Sequence, residues 1–282
     1  TPSFRDLADA GDSYNFDPVF GDQPIYSTFK SFSVVEEGSL VASIELRHVL
    51  SIPAGLKELN EWQSSEQKSF LADLDDVDDL PLFARSEELL EHEIVSRVSL
   101  KAGDPIVYFD CTWENLSKDH RLELLLPTGA PVQRTWAENH FCLVEREVVE
   151  ASCELPVPRA EEAPLDRYPC QRFFVANDQL FLNSGMPEYG VDKEKVSITI
   201  LRAFSMLSRK RLLTRGGGAG PYLPTPEGNC LGSNRVSLGW SAFEAQGDYA
   251  GGLNGDTLVR AYELAEAYNN PLLMSPVSRQ FE

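Results

Sequence analysis

The chain has 282 residues, 42% apolar and 10% aromatic, which suffices for a well-buried core and is too apolar for a disordered segment. Lys and Arg number 25 against 44 Asp and Glu, a formal net charge of −19, so neither nucleic acid nor an anionic membrane is an expected partner. No run approaches the ~20 apolar residues of a membrane span. The opening Thr-Pro-Ser-Phe-Arg-Asp carries no starting Met and no signal-type apolar region, so the sequence reads as soluble, cytoplasmic and cut from something longer.

Apolar and polar residues alternate with a period of two along most of the chain, the pattern of half-buried strands. Leu40, Ala42, Ile44 and Leu46 share one face of a predicted strand, and Glu36-Glu37-Gly38 joins it to residues 29–35 as a hairpin. Residues 87–91 read equally as a helical turn, a strand or a loop. Ile94, Val98 and Leu100 alternate with Arg97 and Ser99. Lys101-Ala102-Gly103-Asp104 then turns the chain into residues 106–113, where Val107, Phe109, Cys111 and Trp113 share a face. Leu122, Leu124 and Leu126 repeat the pattern. Further strands are predicted over 141–148, 173–175, 180–182, 196–200 and 236–240. One helix is predicted over 256–268, with Asp256 as cap, Leu258, Tyr262 and Ala265 on one stripe, and Asn269-Asn270-Pro271 as its stop. Strands without intervening helices pair antiparallel, and this many require two packed layers. The expected fold is all-β: a large antiparallel β-sandwich over residues 1–250, with one short helix and a tail over 251–282 leading toward a further β segment.

The chemistry-bearing residues are sparse. Cys111, Cys142, Cys153, Cys170 and Cys230 show no CxxC, and His48, His92, His120 and His140 show no HxH or HxxxH spacing. The cysteines read as reduced, mostly buried thiols, and no metal site is expected. Residues 71–82 carry five aspartates but lack the central Gly and terminal Glu of a calcium loop, so they read as an exposed acidic loop. Gly216-Gly217-Gly218 lacks the GxxxxGK[ST] pattern and is followed by prolines, so it reads as a long loop that bends sharply or approaches a ligand closely. Asp12 lies in the polar-aromatic cluster of residues 11–18. Such clusters suit sugars, since rings stack on C–H faces while amides and carboxylates bind hydroxyls; read from the residues alone, a turn with an Asx cap and a packed Tyr14 is the favoured alternative. Trp136-Ala137-Glu138-Asn139-His140 holds a candidate acid and base but leads into a predicted strand. There is no G-x-S-x-G elbow, and no complete set of catalytic residues.

Six segments in order resemble the C-terminal β-domain of glycoside hydrolase family 38, the α-mannosidases and mannosylglycerate hydrolases. They are GDSYNFDP (11–18), ENLSKDHRL (114–122), NHFCLVERE (139–147), LNSGMPEY (182–189), LRAFSMLSR (201–209) and RGGGAGPYLPTPEGNCLG (215–232). The resemblance implies a sandwich of the galactose-mutarotase-like supersandwich type. It also implies that the catalytic zinc, its ligands and the nucleophilic aspartate belong to a preceding domain of the same polypeptide, so that this chain holds no catalytic residue or cofactor of its own. It implies an accessory role in a retaining, zinc-dependent hydrolase of α-mannoside-type carbohydrates, in which the sandwich closes one side of the sugar site. Tyr14 and Arg215 then match substrate-contacting positions, and Asp12 is added from its motif. Tyr14 and the Arg215 loop are expected to lie together and to be solvent-accessible. The alternative is a stand-alone carbohydrate-binding or interaction sandwich.

Overall fold

The computed structural model describes residues 2–59, 80, 82–148, 154–164, 166–243, 253 and 255–271. Along them run β1 (Ser3–Ala8), β2 (Ile25–Tyr26), β3 (Thr28–Glu37), β4 (Val41–Pro53), β5 (Leu56–Glu58), β6 (Phe83–Arg85), β7 (Leu89–Lys101), β8 (Val107–Asn115) and β9 (His120–Pro127). Then come β10 (Arg134–Asn139), β11 (Cys142–Glu147), β12 (Arg167–Pro169), β13 (Phe173–Ala176), β14 (Gln179–Asn183), β15 (Glu188–Asp192), β16 (Lys195–Ala203), β17 (Gly232–Ala242) and α1 (Gly255–Asn269).

Two layers result: a six-stranded sheet ordered β12-β15-β16-β9-β1-β2 and a nine-stranded sheet ordered β11-β10-β13-β14-β17-β8-β7-β4-β3, with β5 and β6 pairing apart. The pairings are antiparallel, as expected for strands joined by short turns. Phe4, Leu122, Leu124 and Ile198 of the smaller sheet meet Leu50, Ile94, Phe109 and Leu238 of the larger one in the main core. Each fully buried side chain of this kind stabilises the fold by roughly 1.5–3 kcal/mol. A second cluster forms on the outer face of the larger sheet, where Ala261, Leu264 and Ala265 of α1 cover Phe173, Val175 and Leu180. The expected sandwich with one helix near the C-terminus is the fold observed.

Several local expectations change in three dimensions. Residues 89–91 are strand, because Leu90 pairs with Ile52 inside the long β4–β7 ladder. Residues 136–139 are themselves strand, and β10 turns into β11 through Phe141, whose φ of 60° throws its ring into solvent. The buried stripe of α1 is Thr257, Ala261, Leu264 and Ala265, about a quarter-turn from the expected one, and Asp256 sits in the first turn. Its carboxylate there complements the helix dipole. On β9 the polar alternates Arg121 and Glu123 are buried as well: Glu123 accepts from Arg5 at 2.7 Å and Arg167 at 2.7 Å, with Arg121 at 3.5 Å. Burial alone would raise the Glu123 carboxyl, but the three guanidiniums hold it below its ordinary value. Cys111 and Cys170 are buried free thiols, whereas Cys142 and Cys230 are exposed, so the expectation of mostly buried cysteines holds for half of those described. Cys153, the expected boundary near residue 250 and nearly all of the acidic 71–82 segment lie outside the described residues.

The register decides which loops meet. Ala8 at the end of β1 and Ala203 at the end of β16 both pair with His120 at the start of β9. The loops that follow β1 and β16 therefore leave the sandwich at the same end.

Candidate functional site

After β1 the chain folds back on itself. Asp9 bridges to Pro18, the Ala10 N–H donates to the Asp17 carbonyl at 2.8 Å, and the Asp12 N–H donates to the Asn15 carbonyl at 3.0 Å. The Asp12 carboxylate accepts the N–H groups of Tyr14 at 3.0 Å and Asn15 at 3.1 Å, an Asx turn that presents Tyr14 outward. Gly11 is required here: a Cβ would overlap the Asn15 carbonyl oxygen and lie 2.7 Å from Asp9 Oδ1.

The loop after β16 is pinned onto this turn by charge. Arg215 Nη1 and Nη2 reach the two Asp12 oxygens at 3.2 and 2.6 Å. Nη1 also donates to Asn15 Oδ1, Nη2 to the Arg209 carbonyl at 3.3 Å, and Nε to the Gly217 carbonyl at 2.6 Å. Those contacts engage all five N–H groups of the guanidinium. Arg209 adds its own N–H to Asp12 Oδ2 at 2.7 Å and its Nε to the Gly11 carbonyl at 3.0 Å. Arg202 holds Asp9 at 2.7 Å and the carbonyls of Asp12 and Asn15. Asp17 accepts the N–H groups of Leu213 and Thr214 and the Thr214 hydroxyl at 3.1, 2.8 and 2.8 Å.

These contacts set the electrostatics. Burial would raise the Asp12 carboxyl, yet Arg215 and the backbone donors of Arg209, Asn15 and Tyr14 hold it below its ordinary value. Burial pushes Asp17 up to about 7 despite the Thr214 and Leu213 donors, with nearby Asp9 adding to the rise.

The three residues singled out from the sequence thus converge, in two different roles. Tyr14 is 53% exposed, whereas Arg215 is 5% exposed and Asp12 is fully buried. The loop expected to be accessible is so only beyond Arg215: the arginine's side chain is locked to Asp12, and the residues from Gly217 to Gly220 reach the surface. Gly216 is buried because residues 158–160 cross over it; a Cβ there would overlap the Pro158 carbonyl oxygen and lie 2.7 Å from Arg159 Cα. Gly218 and Gly220 lie under two tyrosine hydroxyls: idealised Cβ atoms would sit 2.5 Å from Tyr222 Oη and 2.9 Å from Tyr14 Oη. Ser208 Oγ accepts the N–H groups of Ala219 and Gly220 at 3.1 and 3.2 Å, which fixes the loop between the rings. The surface is completed by Glu162, which accepts from Asn15 Nδ2 at 3.3 Å.

Sequence reasoning missed Tyr222, 56% exposed, and the anchoring arginines 202 and 209. Tyr222 had a local signal, an aromatic inside a Gly-Pro loop; the arginines had none, since their partners lie about 190–200 residues away. Below the site, His120 Nδ1 meets Asp6 at 2.6 Å and Nε2 meets Asn115 Oδ1 at 3.0 Å, while Asn115 Nδ2 donates to the Asn229 carbonyl at 2.8 Å. This buried brace ties β1, β8 and β9 to the turn before β17. Among the described residues no three His, Cys, Asp or Glu side chains gather in a way that would hold a metal ion. No described helix is long and apolar enough to cross a membrane.

No family model matches the chain. Over 241 residues it is 24% identical to a protein named "Putative mannosylglycerate hydrolase" from Halalkalibacterium halodurans, an alignment covering 83% of this chain and 24% of that protein. A solved structure of a protein in the glycosyl hydrolase family 38 from Enterococcus faecalis superimposes with a TM-score of 0.67 at 24% identity, over 93% of this chain and 28% of that one. An alpha-mannosidase from Enterococcus faecalis V583 gives a TM-score of 0.68 at 25% identity, over 93% of this chain and 27% of that one. The chain spans about a quarter of the length of each of these relatives. Sequence and fold together bear out its resemblance to glycoside hydrolase family 38.

Proposed function

We propose that this chain is an accessory β-domain of a longer, retaining α-mannosidase-like hydrolase, and that its Tyr14 end closes one side of the sugar site. The observation that carries the reading is the convergence of Tyr14, Tyr222 and residues 217–220 on one exposed surface. Two phenol rings beside a loop of small residues offer what a sugar ring needs: apolar faces for its C–H groups, hydroxyls for its hydroxyls, and close access to backbone. Among the described residues the Tyr14 hydroxyl makes no hydrogen bond, which leaves it available to a ligand. Arg215 and Asp12 act as positioning residues, because every donor of the guanidinium is already engaged within the protein. Zinc, the nucleophile and the metal ligands belong in this reading to another domain, so the 282 residues alone do not hydrolyse an α-mannoside.

The test uses the longer protein with an aryl α-mannoside. Tyr14→Phe removes one hydrogen bond of about 0.5–1.5 kcal/mol, or roughly 2- to 13-fold in kcat/KM, with melting temperature unchanged. A fall in stability without a change in kcat/KM would show that the phenol serves the fold instead. A parent reading frame without an upstream hydrolase domain favours the stand-alone binding sandwich.

A further inference from the structure

The inner face of the nine-stranded sheet is larger than the sheet that covers it. Register identifies the side chains of that face row by row, since directly paired residues point the same way. In one row Phe32 pairs with Leu46, which pairs with Ser96, then Cys111, then Val236. In the next, Val34, Ile44, Val98, Phe109 and Leu238 line up, and beyond it Leu100 pairs with Val107. In the second row burial falls step by step toward β3, whereas the first stays buried through Leu46 and opens only at Phe32. Leu238 and Cys111 are core, Ile44 and Val98 are half-buried, and Val34 and Phe32 are 60% and 65% exposed. Leu100 is 52% exposed. The smaller sheet ends at β1 and β2, and the Phe4 ring of β1 meets His48 of β4. What remains is a corner of core composition that none of the described residues covers, a contiguous apolar patch of the kind that marks an interaction site.

We propose that this corner is the seat of another domain of the same polypeptide. The inference rests on the reading of the chain as one domain of a longer protein, and the relatives, of whose length it spans about a quarter, supply the candidate chain. Two features disfavour a second copy as occupant. Two chains of net charge −19 repel each other. The β3 edge is broken by bulges between Phe29 and Ser31 and between Val34 and Glu36, which twist it away from edge-to-edge pairing. An apolar face held in cis needs neither charge neutrality nor a regular edge.

The experiment uses the full-length protein carrying Phe32→Cys or Leu100→Cys, with Phe141→Cys as the exposed reference, and reads alkylation peptide by peptide. The seated domain should slow labelling at 32 and 100 on the order of tenfold or more relative to 141, at every protein concentration. Equal rates at the three positions overturn the proposal. Protection that disappears on dilution also overturns it, in favour of a second copy. Carbene footprinting of Phe32 and Leu100 in the unmodified protein gives the same reading should a cysteine variant not fold. Hydrolysis of an aryl α-mannoside is scored separately: an inactive protein with protected Phe32 refutes the hydrolase reading alone, and an active protein with accessible Phe32 refutes the docking face alone.

Discussion

Arg215→Ala is expected to act on stability first. The wild-type guanidinium makes a two-pronged contact with Asp12 and further bonds to Asn15, Arg209 and Gly217, with both partners of the ion pair buried. Alanine leaves the Asp12 carboxylate with its backbone donors alone and removes the partner of three other oxygens. Removing one member of a buried ion pair costs about 3–5 kcal/mol. At roughly 2–4 °C per kcal/mol for a chain of this size, the melting temperature should fall by about 6–20 °C. Arg215→Lys keeps the charge but offers three donors in place of a five-donor fork, so it should fall between the two. Pairing Asp12→Asn with Arg215→Met removes both charges and should recover part of the loss. Circular dichroism melts and urea titrations measure these differences directly. If Arg215→Ala melts within about 2 °C of the wild type while the longer enzyme loses turnover, the guanidinium contacts substrate and the positioning role is wrong.

The glycine run offers an internal contrast. Gly216→Ala drives a methyl into the backbone of residues 158–160 and should cost about 1–3 kcal/mol, whereas Gly217→Ala meets open space and should be nearly neutral. Equal melting temperatures for the two variants would contradict the crossing geometry. Asp17 sets a pH dependence. Its carboxyl is up at about 7 in the native state, against an ordinary value of 3.8. The folded state therefore holds a proton that the unfolded chain has released, and this residue's contribution weakens as pH rises through that window. Urea stability should be higher at pH 5.5 than at pH 8 by about 2 kcal/mol, a slope that Asp17→Asn should remove. Asp12, held low, works in the opposite sense: its stabilisation is present above its ordinary value and is lost as pH falls through the lowered one. Stability that rises steadily from pH 5.5 to pH 8 would count against the buried, raised Asp17.

The sequence by itself determined the sandwich, because a period of two is written locally. Val107, Phe109, Cys111 and Trp113 mark an inward face whatever they pack against, and they form the inner face of β8. It also marked the glycines after Arg215 as a long loop and located Tyr14 in a polar-aromatic cluster. Tertiary structure decided the rest, for reasons of reach. No local pattern says that Asp12 will meet Arg215, since 203 residues separate them and only the common end of β1 and β16 brings them together. Nor does any pattern say that the arginine will be locked inside the protein while the neighbouring tyrosine faces outward. Alternation assigns Arg121 and Glu123 to solvent; burial was decided by three arginines from β1, β9 and β12 closing on one carboxylate. Alternation likewise gives Phe32 and Val34 an inward face, but only the width of the opposing sheet decides that this part of the face is left bare.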